Sequence, residues 1–154
     1  MRTRVIGVIG GSTCSAEVAR QAERVGELIA SRGAYLICGG LFGVMEAACR
    51  GAKAQEGTTI GVLPGSDKSA ANQFVDIALP TGLGLARNLI IVRSSDAVIA
   101  IDGSYGTLSE ISFCLQLGVP LVGLGTWDVD PKIIRAETPE AAVDRAFEAL
   151  DEDE

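Results

Sequence analysis

The 154 residues contain no histidine. Ser-His-Asp and Cys-His nucleophiles, histidine general bases and histidine metal ligands are therefore all excluded, and chemistry falls to carboxylates, arginine, lysine and the backbone. Two charged residues stand out by their surroundings: Arg87 in Gly84-Leu85-Ala86-Arg87-Asn88, and Glu110 in Gly106-Thr107-Leu108-Ser109-Glu110. Each stands at an expected helix start. An arginine placed there can hold a phosphate in a bidentate way, with Asn88 as a candidate second polar ligand. A carboxylate nearby can stabilise a cationic sugar or activate water, so the pair suits cleavage of an N-glycosidic bond. Both residues also have plainer readings. Thr107-x-x-Glu110 fits a capping box, and Arg87 could be a solvated charge or the partner of Asp96, with Arg93 the better candidate for solvent.

Four glycine-rich turns accompany them: Gly10-Gly11-Ser12, Gly39-Gly40-Leu41-Phe42-Gly43, Gly82-Leu83-Gly84 and Gly103-Ser104-Tyr105-Gly106-Thr107. Glycine lets backbone N–H groups come close to an anion, and a helix N-terminus adds partial positive charge at the same place. Any one glycine could serve only a tight turn; four such turns on one sheet edge describe an anion cradle. Gly10, Gly11, Ser12, Gly39, Gly40, Gly43, Gly84, Asn88, Gly103, Ser104, Tyr105, Gly106 and Thr107 are the expected ligand-binding residues, with Arg87 and Glu110 as the catalytic candidates. A dinucleotide fingerprint fits poorly. Gly7 to Ser12 reads G-V-I-G-G-S, and the second strand ends in Cys38-Gly39-Gly40 rather than an acidic residue. No G-x-x-x-x-G-K-[ST] occurs.

The elements that must position these turns alternate regularly. Strands are expected at Val5 to Ile9, Ala34 to Cys38, Thr58 to Leu63, Phe74 to Leu79, Ala97 to Ile101 and Pro120 to Gly125. Helices are expected from the Ser15 cap to about Arg32, over Val44 to Glu56, Leu85 to Ser95 and Thr107 to Leu117, and from Thr138-Pro139 onward. Ser66 to Gln73 reads as a loop and Asp151 to Glu154 as a solvated tail. Strand–helix alternation predicts one α/β domain over residues 1–154, a Rossmann-like three-layer αβα arrangement with a mainly parallel sheet. Ala97 to Ile101, wholly apolar, is expected at its middle. In such sheets ligands sit beyond the carboxyl ends of the strands, where all four turns fall.

Composition narrows the partners. A net charge of −7 opposes general attraction to nucleic acid or anionic lipid. No apolar stretch approaches a bilayer span, and the run after Met1-Arg2-Thr3-Arg4 is too short for a secretory leader, so a cytoplasmic setting is expected. Cys14, Cys38, Cys49 and Cys114 lack C-x-x-C spacing and read as small buried hydrophobes, with no metal site. The segment Leu108 to Leu117 is apolar on nearly all sides, which predicts a partner subunit over its outer face.

Gly84-Leu85-Ala86-Arg87-Asn88, Ser95-Asp96-Ala97 and Gly103-x-x-Gly106-Thr107-x-x-Glu110, in this order, resemble the Lonely Guy/lysine-decarboxylase-like group over most of the chain. That resemblance implies Arg87 and Glu110 as a catalytic pair, Gly103 to Thr107 as a phosphate cradle, and a homodimer or higher homo-oligomer. It also implies hydrolysis of a nucleoside 5′-monophosphate to free base and ribose phosphate. A second branch, the molybdenum cofactor carrier proteins, binds a pterin phosphate without transforming it, and Gly-Leu-Gly-Leu-Ala-Arg-Asn resembles that branch more closely. No cofactor is required for the first activity; molybdenum cofactor would be the bound ligand of the second. Asp102 stands where the group has proline and Ser104 where it has glycine. Asp102 would repel an adjacent phosphate, and Ser104 brings a Cβ into a crowded turn. Hydrolase, carrier and non-catalytic partner-binding module all stay open at this point.

Overall fold

Six apolar runs and one short further segment become seven parallel strands in the computed structural model, which describes residues 2–153. In chain order the elements are β1 (Val5–Gly10), α1 (Ala16–Ser31), β2 (Tyr35–Cys38), α2 (Val44–Ala54), β3 (Thr59–Leu63), β4 (Ile77–Pro80), α3 (Arg87–Ser94) and β5 (Ala97–Ile101). They are followed by α4 (Tyr105–Leu117), β6 (Leu121–Leu124), β7 (Ile134–Ala136) and α5 (Pro139–Glu152). The sheet order is β4-β3-β2-β1-β5-β6-β7, and each pairing is parallel.

Side chains alternate across the sheet, so each strand feeds two cores. In β5, Ala97, Ile99 and Ile101 join the core beneath α1, α2 and α5, whereas Val98 and Ala100 join the core beneath α3 and α4. This is the expected αβα sandwich. Isoleucines such as Ile6, Ile99 and Ile111 are wholly buried, and each contributes about 1.5–3 kcal/mol of transfer free energy. Helix α1 starts where Ser15 Oγ accepts from Val18 N at 3.2 Å, and α5 where Thr138 Oγ1 accepts from Ala141 N at 3.1 Å. On one face α1 and α2 cross nearly backbone to backbone: a Cβ added at Gly26 would stand 1.9 Å from Ala48 O, and one at Gly51 1.9 Å from Glu23 O.

The order of strands creates the crevice. The chain builds outward from β1 to β4, then returns to lay β5 on the other side of β1. Gly10 pairs with Ile101, so the loops leaving β1 and β5 start side by side and depart to opposite faces. A ligand crevice opens at such a switch point.

Several expectations need correction. The middle strand is β1, with β5 beside it. Helix α4 starts at Tyr105 rather than Thr107, because Gly103 at φ 100° turns the chain early and Ser104 becomes the N-cap. Residues 84–86 form a 3-10 turn leading into α3. Asp151 and Glu152 continue α5 rather than forming a tail, and Glu154 lies outside the described residues, as does Met1. Edge strand β7 was not expected, since three residues with an exposed Arg135 in the middle carry no apolar run.

Candidate functional site

A cleft of about 210 Å³ opens at the carboxyl end of the sheet. It gathers Gly10, Gly11, Ser12, Gly39, Arg87, Asn88, Ser104, Gly106, Thr107 and Glu110, contributed by the loops after β1, β2 and β5 and by the first turns of α3 and α4. Ten of the fifteen expected residues thus meet in one place. Val8, Ile9, Leu41, Met45 and Leu85 complete its lining and supply an apolar wall. These five were missed; Leu41 lies inside a glycine turn already singled out and Leu85 directly follows one, and that adjacency was the available signal.

The remaining five expected residues lie outside the lining. Gly43 supports it from behind: at φ 60°, an added Cβ would stand 2.4 Å from Gly11 O. Gly103 admits the Thr107 side chain, whose Oγ1 would lie 2.3 Å from an added Cβ. Gly40 packs on Leu63, Gly84 faces open space, and Tyr105 is 82% exposed with its ring tilted against Trp127.

Arg87 is neither solvated nor paired with Asp96. Asp96 instead accepts from Arg2 and from Val5 N, both at 2.8 Å, while Arg87 is only 8% exposed. Arg87 Nε donates to Val62 O at 2.9 Å, and Nη1 donates to Asn88 Oδ1. Asn88 Nδ2 in turn donates to Ser109 Oγ at 3.0 Å, so Asn88 braces the guanidinium against α4. Among the described residues Arg87 forms no ion pair. Burial weakens the guanidinium's hold on its proton, while Glu110 and Cys38 strengthen it; an arginine stays charged here.

Glu110 is not a capping residue. With Ser104 as N-cap, it lies in the second turn of α4, too far along to reach back to the cap. It is 7% exposed and, among the described residues, makes no hydrogen bond or ion pair. Among the described residues no buried side-chain oxygen is left without a partner, so its carboxyl opens onto the cleft it lines. Burial pushes this carboxyl up to about 8, against the downward pull of Arg87 and with a further rise from Cys38. Burial thus favours the protonated carboxyl at neutral pH, which leaves the Arg87 cation without an ion pair among the described residues.

The departures behave differently from expectation. Asp102 adopts φ 50°, held by its N–H to Leu124 O at 3.3 Å and by its carbonyl accepting from Thr126 Oγ1 at 2.7 Å. Its exposed side chain stands outside the cleft lining and adds to burial in raising the Cys14 thiol. Ser104 does line the cleft, and no side chain caps the N–H groups of α4's first turn. Among the described residues no cluster of three acidic or cysteine side chains could hold a metal ion, and no helix is long and apolar enough to cross a membrane.

This geometry has counterparts in known proteins. The molybdenum cofactor binding protein from the phototrophic bacterium Rippkaea orientalis superposes with a TM-score of 0.88 at 38% identity, over 99% of this chain and 98% of that chain. An uncharacterized protein of Archaeoglobus fulgidus is 48% identical over 93% of this chain and 94% of its own length. The cytokinin riboside 5′-monophosphate phosphoribohydrolase of Mycobacterium tuberculosis is 35% identical over 65% of this chain and 55% of that protein, so the chain spans about half the length of that curated relative. The model of the SLOG cluster4 family matches residues 3–150. Its length, the end-to-end superposition and the Arg87 and Glu110 motifs agree: the chain belongs to the SLOG cluster4 family, within the Lonely Guy group.

Proposed function

We propose that this protein binds a phosphorylated, nucleotide-like ligand in the β1–β5 cleft, that the ligand is the pterin phosphate of a molybdenum cofactor, and that the protein carries it without consuming it. The observation that carries the reading is Arg87: a buried cation, braced by Val62 O and Asn88, with no carboxylate ion pair among the described residues, at the foot of a glycine-walled cleft. A buried charge of this kind needs an anion. The phosphate would sit against Gly10, Gly11, Ser12, Ser104, Gly106 and Thr107, where the uncapped N–H groups of α4 complement its charge. Leu41, Met45 and Leu85 would take the flat ring. The near-complete overlap with the Rippkaea protein supports the carrier reading over one drawn from a relative matched over only 55% of its length. The reading includes a cytoplasmic setting and a homodimer or higher assembly.

Glu110 favours a second reading, phosphoribohydrolase action on a nucleoside 5′-monophosphate. A carboxyl held beside the cleft with an elevated pKa can pass a proton to a leaving base and, once ionised, stabilise a cationic sugar. Calorimetry with pterin phosphates, adenosine monophosphate and ribose 5-phosphate, combined with chromatography for free base, separates the two. The carrier requires saturable binding and no base release. Base release by the wild type that Glu110→Gln abolishes would transfer the assignment to the hydrolase, and negligible heats for every phosphate would overturn both.

A further inference from the structure

Beneath the cleft lie two thiols that the ligand reading leaves unused. Cys38 ends β2 and Cys49 lies in α2; both are wholly buried, and their sulfurs stand 3.6 Å apart. Between them runs the glycine loop that carries Gly39 and Leu41, and one helical turn before Cys49 comes Met45; all three line the cleft. We infer that Cys38 and Cys49 are a peroxide-oxidisable dithiol whose reversible disulfide reshapes this wall of the cleft.

Cys38 is the nucleophile of the pair. The contact with Cys49, the Gly40 N–H donating to its sulfur at 3.3 Å and the nearby Arg87 charge hold the Cys38 thiol below the usual range against burial, while that of Cys49 is raised by the shared contact and by burial. Cys38 is wholly buried but directly precedes Gly39, which lines the cleft, so hydrogen peroxide in the cleft lies one residue along the chain from the sulfur. The Cys38 thiolate attacks one peroxide oxygen; the O–O bond breaks, and the departing hydroxide takes a proton to leave as water. The Cys49 sulfur then attacks the resulting sulfenic acid, the S–O bond breaks, and the Cys49 proton leaves with the hydroxide as a second water. Two thiols lose two electrons and one peroxide gains them. Bonding draws the sulfurs inward from van der Waals contact. Because β2 is fixed between β1 and β3, α2 and its Met45 must move.

The test uses the full chain. After millimolar hydrogen peroxide, the protein is denatured, alkylated with iodoacetamide and mapped without reduction. Two of its four thiols should escape alkylation, the Cys38 and Cys49 peptides should appear linked and two hydrogens lighter, and dithiothreitol should restore both. In Cys49→Ser, dimedone should trap Cys38 as sulfenic acid. Affinity for adenosine monophosphate, which rests on the cleft being the ligand site, should differ by about threefold or more between the two forms. Four alkylated thiols after peroxide, or a link between other cysteines, would overturn the inference. Linkage with unchanged affinity would overturn the coupling to the cleft. If neither form binds any phosphate, the ligand reading falls, and the peptide map still decides the dithiol.

Discussion

Arg87 and Glu110 were legible because each sits in a distinctive local setting, yet their roles turned on where their helices begin. A capping box needs Thr107 as the cap; the chain instead turns at Gly103, and Glu110 is carried to the cleft with no hydrogen bond or ion pair among the described residues. Two outcomes follow at this scale. Arg87→Ala should weaken phosphate binding by about 1.5–3 kcal/mol, read by calorimetry, because a charge-assisted contact to a buried group is lost. Unchanged affinity would reduce Arg87 to a structural brace. Glu110 makes both binding and stability depend on pH. Its carboxyl is raised from the ordinary 4.5 to about 8, so between those values the folded chain holds a proton that the unfolded chain has released. Stability therefore falls as pH rises through that window, and phosphate affinity falls once the group ionises above about 8. Glu110→Gln should flatten both profiles, raising Tm more at pH 8 than at pH 5; equal shifts at the two values would show that the carboxyl is not buried in its acid form. The apolar wall was not legible, since Leu41, Met45 and Leu85 become neighbours only through the fold.

At the scale of elements, periodicity identified the long segments, where an apolar stripe and a cap agree, as in α1 with Ser15 and α5 with Thr138-Pro139. It missed β7, whose three residues draw their pairing from β6 rather than from their own pattern. Contacts between elements were less visible still. Nothing in the helical stripe of α1 announces that Gly26 must be glycine, yet any Cβ there runs into the backbone of α2. Gly26→Ala and Gly51→Ala should each destabilise by about 3 kcal/mol, at or beyond the upper end for overpacked cores, because the obstacle is backbone carbonyl oxygen rather than a movable side chain. Urea unfolding measures this, and a loss under about 0.5 kcal/mol, the level of an ordinary surface change, would mean that the helices separate freely.

For the whole molecule, the expected partner subunit has a surface to meet. Leu83, Leu85 and Tyr105 are exposed on the face that carries α3 and α4, and Leu117 is partly exposed at the end of α4. Helix α4 is less apolar all round than its sequence suggests, since Ser112 and Gln116 also face outward. Light scattering at micromolar concentration should nonetheless return a dimer or larger, and a strict monomer would count against it.

The Gly26–Gly51 crossing also bears on how the molecule comes together in time. It joins segments that are near neighbours along the chain, whereas the β1–β5 pairing on which the crevice depends must bring Val5 to Asp96, 91 residues away. Local contacts form ahead of distant ones. The β1-α1-β2-α2 unit should therefore be ordered in the folding transition state, with the β1–β5 junction closing afterwards. Because the cleft does not exist until that junction closes, a bound phosphate should slow unfolding and leave the refolding rate nearly unchanged, which stopped-flow measurements with and without ligand would register.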